Sequence, residues 1–88
     1  MLSMHTQRKK LEPLVVRFVA TALILAHGNT TAETVKQALR RRGYEARQAD
    51  VAQWLLVICF WENWAVKDTG QQRVYSFPRV LSAQLASN

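Results

Sequence analysis

The sequence predicts an α+β, mainly helical domain, with three helices followed by a β-hairpin, all within 88 residues. Three observations predict it. Apolar residues recur at steps of three and four from Leu11 to Trp61, the period of helices with one buried side. Glycine interrupts that period at Gly28 and again at Gly43, where a left-handed residue ends a helix. Beyond Asn63 the chain turns β-branched and aromatic on either side of Asp68-Thr69-Gly70, which is a hairpin signal.

The first helix starts near Glu12, with Pro13 in an opening turn that does not need its missing N–H. Its expected core stripe is Leu11, Leu14, Val15, Phe18, Ala22 and Leu25, and Gly28-Asn29 stops it. The second helix opens on Thr30 with Glu33, the spacing of a capping box. It would bury Ala32, Val35, Ala38 and Leu39, and Arg40, Arg41 and Arg42 complement the dipole of its last turn.

Tyr44-Glu45-Ala46 is a tight connector, and a third helix is expected from about Arg47 to Glu62. Its inward stripe reads Val51, Trp54, Leu55, Ile58 and Trp61. The continuous apolar run from Trp54 to Trp61 also suits a buried strand, since periodicity alone does not separate the two. Ala49 and Ala52 upstream, with no breaker between, favour the helix. Trp64–Lys67 and Arg73–Phe77 are the hairpin strands. Residues 1–10 read as a flexible basic arm, 11–78 as the folded domain, and 79–88 as a tail or a short helix carrying Val80, Leu81 and Leu85.

Composition narrows the function classes. The formal charge is +6, from 12 Lys and Arg against 6 Asp and Glu, which favours polyanionic partners, nucleic acid before anionic membrane. Arg8, Lys9 and Lys10 ahead of an apolar segment imitate a secretory signal. Glu12, Pro13 and Arg17 interrupt that segment, Ile24 sits where cleavage wants a small residue, and the run is too short and charged to span a bilayer. It reads as a soluble helix. One cysteine, Cys59, excludes an internal disulfide, and a reducing cytoplasm fits. His5 and His27 with Cys59 do not make a zinc set by local spacing. Paired carboxylates, a glycine-rich phosphate loop and an activated nucleophile are missing from the sequence, so neither catalysis, metal nor cofactor is expected.

Helix, capped short helix, turn through Gly43-Tyr44, longer helix and hairpin is the order of a winged helix-turn-helix domain. The chain resembles that superfamily over roughly residues 12–77, most specifically from Thr30 to Gly43, then from Ala46 to Leu55 and from Trp64 to Phe77. In outline it is similar to small bacterial regulators of fimbrial operons and to plasmid- or phage-borne regulators. The resemblance implies a cytoplasmic, nucleoid-associated transcriptional regulator that binds double-stranded DNA. It also implies that the helix after the turn enters the major groove by its N-terminal half.

On that reading Arg47, Gln48, Ala49, Ala52 and Gln53 lie at the groove. Gln53 suits an adenine edge, Arg47 and Gln48 a phosphate or a guanine, and the alanines permit close approach. The alternative is an ordinary solvated face. Asp50 opposes phosphate, and Arg47 stands where the superfamily usually has a Ser or Thr cap, which loosens the helix start by a residue or two. Lys67, Gln71 and Arg73 around the hairpin tip suit backbone or minor-groove contact, or else form a charged edge that resists aggregation. Arg40, Arg41 and Arg42 suit phosphate as well as the helix end.

Two helices carry more apolar surface than one small core absorbs. Val16, Val19, Ala20 and Leu23 on the first helix and Leu56 and Phe60 on the third are expected to form a homodimer interface or to dock a protein partner. A fold-back of the C-terminal segment over one patch is the alternative.

Overall fold

A computed structural model describes residues 9–78. Residues 1–8 of the expected arm and the whole expected tail, 79–88, lie outside the described residues. The elements run α1 (Pro13–His27), β1 (Thr30–Thr31), α2 (Ala32–Arg41), α3 (Gln48–Glu62), β2 (Ala65–Asp68) and β3 (Arg73–Ser76). The strands form one antiparallel sheet in the order β1-β3-β2. Three helices with a terminal hairpin closing onto a short strand after α1 make the layout winged-helix-like.

Local chemistry explains the boundaries. Pro13 occupies the first turn of α1, and Gly28, at φ 91°, closes it with a 2.7 Å bond from its N–H to the Ile24 carbonyl. Such a φ suits glycine because a Cβ disfavours it. Asn63 ends α3 in the same left-handed region, at φ 59°, a conformation asparagine tolerates better than most residues.

The start of α2 differs from expectation by one residue. Thr31 is the cap, its hydroxyl accepting the Thr34 N–H at 3.2 Å. Thr30 instead belongs to β1, paired with Tyr75. Its backbone is recruited by β3, a pairing across 45 residues that no local pattern signals. Glu33 therefore closes no capping box; it pairs with Lys36 at 3.0 Å and accepts from Gln37 at 2.9 Å.

The core joins one side of each helix to the sheet. Val16, Val19 and Ala20 of α1 meet Val35 and Leu39 of α2, Val51, Leu55 and Ile58 of α3, and Tyr75 of β3. Here the expected face of α1 is reversed. Leu14, Phe18 and Leu25 are 69%, 70% and 72% exposed, whereas Val16, Val19, Ala20 and Ile24 are buried. Leu11 and Val15 are half-buried and Ala22 is exposed. Because α1 is apolar all round, its period fixes the spacing of a stripe but not which stripe turns inward. The small and β-branched side faces the core, and it lets α2 and α3 approach closely.

On α3 the inward residues are Val51, Leu55, Ile58 and Cys59, with Trp54 half-buried. Trp61 was expected to continue this stripe but is 62% exposed. Counting on from Val51, Leu55 and Ile58, the helical turn brings position 62, not 61, to the core side. Glu62 occupies it and pairs with Arg17 of α1 at 2.9 Å. The run from Trp54 to Trp61 is helical throughout, so the strand alternative falls.

Candidate nucleic-acid interface

The start of α3 is the feature every other part of this surface surrounds. Arg47 caps the helix with no side-chain bond, and Arg47, Gln48, Ala49, Asp50 and Gln53 are all exposed. One residue further in, Val51 is fully buried, so the helix is anchored by its inner edge while its leading turn stays open. Ala52 is half-buried at the margin.

The hairpin of β2 and β3 stands beside this turn. Register pairs Asp68 with Arg73 and Lys67 with Val74, leaving Thr69, Gly70, Gln71 and Gln72 as the tip. That tip is wired internally. The Thr69 N–H donates to the Gln72 carbonyl at 2.9 Å, the Thr69 hydroxyl to the same oxygen at 3.1 Å, and the Gly70 N–H to the Asp68 carboxylate at 2.8 Å. Bonds of this kind hold a turn in one shape without borrowing from the strands.

Between tip and helix lies an open cleft lined by Gln48 and Ala52 of α3, Ala32 and Glu33 of α2, and Gln71, Gln72, Arg73 and Tyr75 of the hairpin. Of the residues expected on the recognition helix and the wing, Gln48, Ala52, Gln71 and Arg73 line this cleft, whereas Arg47, Ala49, Gln53 and Lys67 do not. Glu33 and Asp68 also stand in its wall. The Glu33 carboxyl is held below its usual pKa by the Gln37 hydrogen bond and by Lys36. The cleft lining is thus amide-rich, with two carboxylates, Glu33 and Asp68, and one cation, Arg73.

The connector between α2 and α3 gathers more of the positive charge. Arg40 donates through Nε to the Ala46 carbonyl at 2.9 Å, and Arg42 through Nη1 to the Ala38 carbonyl at 3.2 Å. Two of the three arginines thereby satisfy backbone acceptors of their own chain, and among the described residues the Arg41 side chain makes no such bond. Gly43, at φ 89°, makes the exit.

Lys9 was expected in a free arm. Its backbone instead pairs with the connector, the Lys9 N–H donating to the Gly43 carbonyl at 2.9 Å and its carbonyl accepting from Glu45 at 3.0 Å. Its ammonium stands 5.2 Å from the Tyr44 ring centroid. Lys10 shares a hollow with Leu11, Glu45, Arg47, Asp50 and Trp54. Lys9 and Lys10 fall in the expected basic arm, and Gln72 is held at the hairpin tip by local bonds to Thr69; what local spacing does not reveal is the pairing of Lys9 with the connector, a long-range contact.

The interface residues divide. Val16, Val19 and Ala20 are between 0% and 2% exposed, so they are core and present no docking surface; Leu23 is half-buried against them. Leu56 is 40% and Phe60 86% exposed on the outer side of α3. Cys59 is buried, and burial pushes its thiol up to about 11, keeping it protonated near neutral pH. Tyr75 is likewise raised, chiefly by burial.

Among the described residues no helix is long and apolar enough to cross a membrane, and no group of His, Cys, Asp and Glu has the arrangement of a metal site. No protein-family model, curated protein or solved structure matches the chain. The class defined by the fold is therefore winged-helix-like on architecture alone, and architecture does not assign activity.

Proposed function

We propose that this chain is a sequence-specific regulator that binds double-stranded DNA with the leading turns of α3 in the major groove. The supporting observation is the open first turn of α3, from Arg47 to Asp50, next to buried Val51 and near an internally hydrogen-bonded hairpin tip. Gln48 and Gln53 offer amides for base edges. Arg73 lines the cleft on the hairpin side, Lys67 stands on the hairpin's other face, and Arg41, Lys9 and Lys10 belong to the connector side; these cations would meet phosphates. The proposed regulator is a cytoplasmic, nucleoid-associated homodimer addressing paired half-sites.

Titrating random duplex DNA across a salt series tests this. With about six cations on phosphates, log K falls against log salt with a slope of roughly −5. Failure to shift DNA at micromolar protein and low salt would rule the reading out.

A second reading is a protein-binding adaptor, favoured by the exposure of Phe60 and Trp61, 86% and 62%, at the far end of α3. It is separated from the first by paired variants. Arg47→Ala with Gln53→Ala removes DNA binding on the first reading. On the second, only Leu56→Ser with Phe60→Ser removes function.

A further inference from the structure

We propose that a second copy of the chain covers the outer face of α1, the two helices packing antiparallel about a twofold axis at their midpoints. This gives the proposed homodimer its contact surface, and it does not depend on DNA binding.

Leu14, Phe18 and Leu25 are each about 70% exposed, and at 100° per residue they fall within about 40° of one another, opposite the buried side. Thr21 and Ala22 lie between them. Three observations favour a copy of the same chain as the occupant.

The stripe is self-complementary when reversed. Antiparallel pairing about the helix centre sets Leu14 against Leu25 of the second copy and Phe18 against Thr21 of the second copy, the reciprocal pattern of a twofold interface. Thr21 and Ala22 are small enough to admit helix axes about 8–10 Å apart. Leu14, Arg17, Phe18 and Thr21 bound a hollow, which in this register faces Ala22 and Leu25 of the second copy.

Charge points the same way. Arg17 is the sole Lys, Arg, Asp or Glu between Pro13 and His27, and it is paired with Glu62 at 2.9 Å. A chain of formal charge +6 repels its own copy through most surfaces, but not through this one. The connector arginines and Arg47 lie on other elements. A helix adapted to a lipid surface pairs its apolar face with a Lys- and Arg-rich polar face. The α1 helix has no such face.

Thiol cross-linking of the full-length chain tests the register. Buried Cys59 does not compete. Leu14→Cys mixed with Leu25→Cys forms a disulfide-linked pair on mild oxidation. Leu14→Cys alone does not, because two copies of that position stand roughly 16 Å apart along the axis, beyond disulfide reach. Sedimentation at tens of micromolar should give two chains for the native protein and one for Phe18→Ser and for Leu25→Ser, with helical circular dichroism unchanged. A native protein sedimenting as one chain overturns the proposal, as does ready self-linking of Leu14→Cys. A dimer that persists in both serine variants keeps the homodimer but removes this interface. Duplex binding in the salt series is read separately, so either proposal can fail alone.

Discussion

The Arg40 guanidinium donates through Nε to the Ala46 carbonyl at 2.9 Å, bridging the last turn of α2 and the residue before the Arg47 cap of α3. Arg41, its neighbour, is exposed and makes no bond of this kind among the described residues. Adjacent arginines of one run thus hold different positions. Arg40→Ala should lower stability by about 1–2 kcal/mol, the scale of a partly exposed hydrogen bond from a charged donor. Arg41→Ala should leave stability within roughly 0.5 kcal/mol and weaken duplex binding. Urea denaturation paired with a binding titration separates them; equal stability losses would show that the bridge has no special role.

A second contrast uses neighbours on α1. Ile24 is 3% exposed and Leu25 is 72% exposed. Ile24→Ala should cost about 2–5 kcal/mol through lost burial and a cavity. Leu25→Ala should cost less than about 0.5 kcal/mol in a dilute, monomeric chain. Reversed values from urea midpoints would mean that the helix packs by its Leu14, Phe18 and Leu25 face.

That contrast also marks what was legible in the sequence. Strong local signals located the helices and the hairpin. Pro13 opened α1, Gly28 and Gly43 closed helices, and the Asp68-Thr69-Gly70 turn set the hairpin. The choice of inward face on α1 was not legible, because Leu14, Phe18 and Leu25 compete with Val16, Val19 and Ile24 at the same period. Nor was β1, where Thr30 looks like a cap until Tyr75 pairs with it. The candidate surface was readable where it is one helix turn, Arg47 to Gln53. The docking of Lys9 against Gly43 and Glu45 was not, since a lone bridge between distant segments has no periodicity.

Alkali should expose the buried thiol. Burial raises Cys59 from 9.0 to about 11, so the folded state holds its proton where the unfolded chain releases it. The associated stability is fully present below pH 9 and is lost as the pH rises to about 11. Linkage puts that loss at roughly 2–3 kcal/mol, and Tyr75, raised in the same direction, adds to it. Urea unfolding at neutral and alkaline pH should show a smaller alkaline drop in Cys59→Ala than in the native protein. An identical drop in both would place the pH sensitivity elsewhere.

The exposed leading turn of α3 permits the sharpest test of the DNA proposal, because it separates groups that meet phosphate from groups that read bases. Arg47 carries a charge at the cap position with no side-chain partner there; Lys67 and Arg73 carry theirs on the hairpin. Replacing any one of these with Ala removes one counterion-releasing contact. Affinity should then fall by a similar factor on every sequence, and the salt slope should flatten by about one. Gln53 is uncharged and follows exposed Ala49 by four residues along the outer side of α3. Gln53→Ala should leave the salt slope unchanged but reduce discrimination at one base position by about 1–3 kcal/mol. Selection of bound duplexes from a random pool, run with native and variant proteins, reads both effects. A Gln53→Ala protein that selects the native consensus unchanged would show that the outer side of α3 does not face bases. The cations would then hold DNA only without regard to sequence, or would serve another partner.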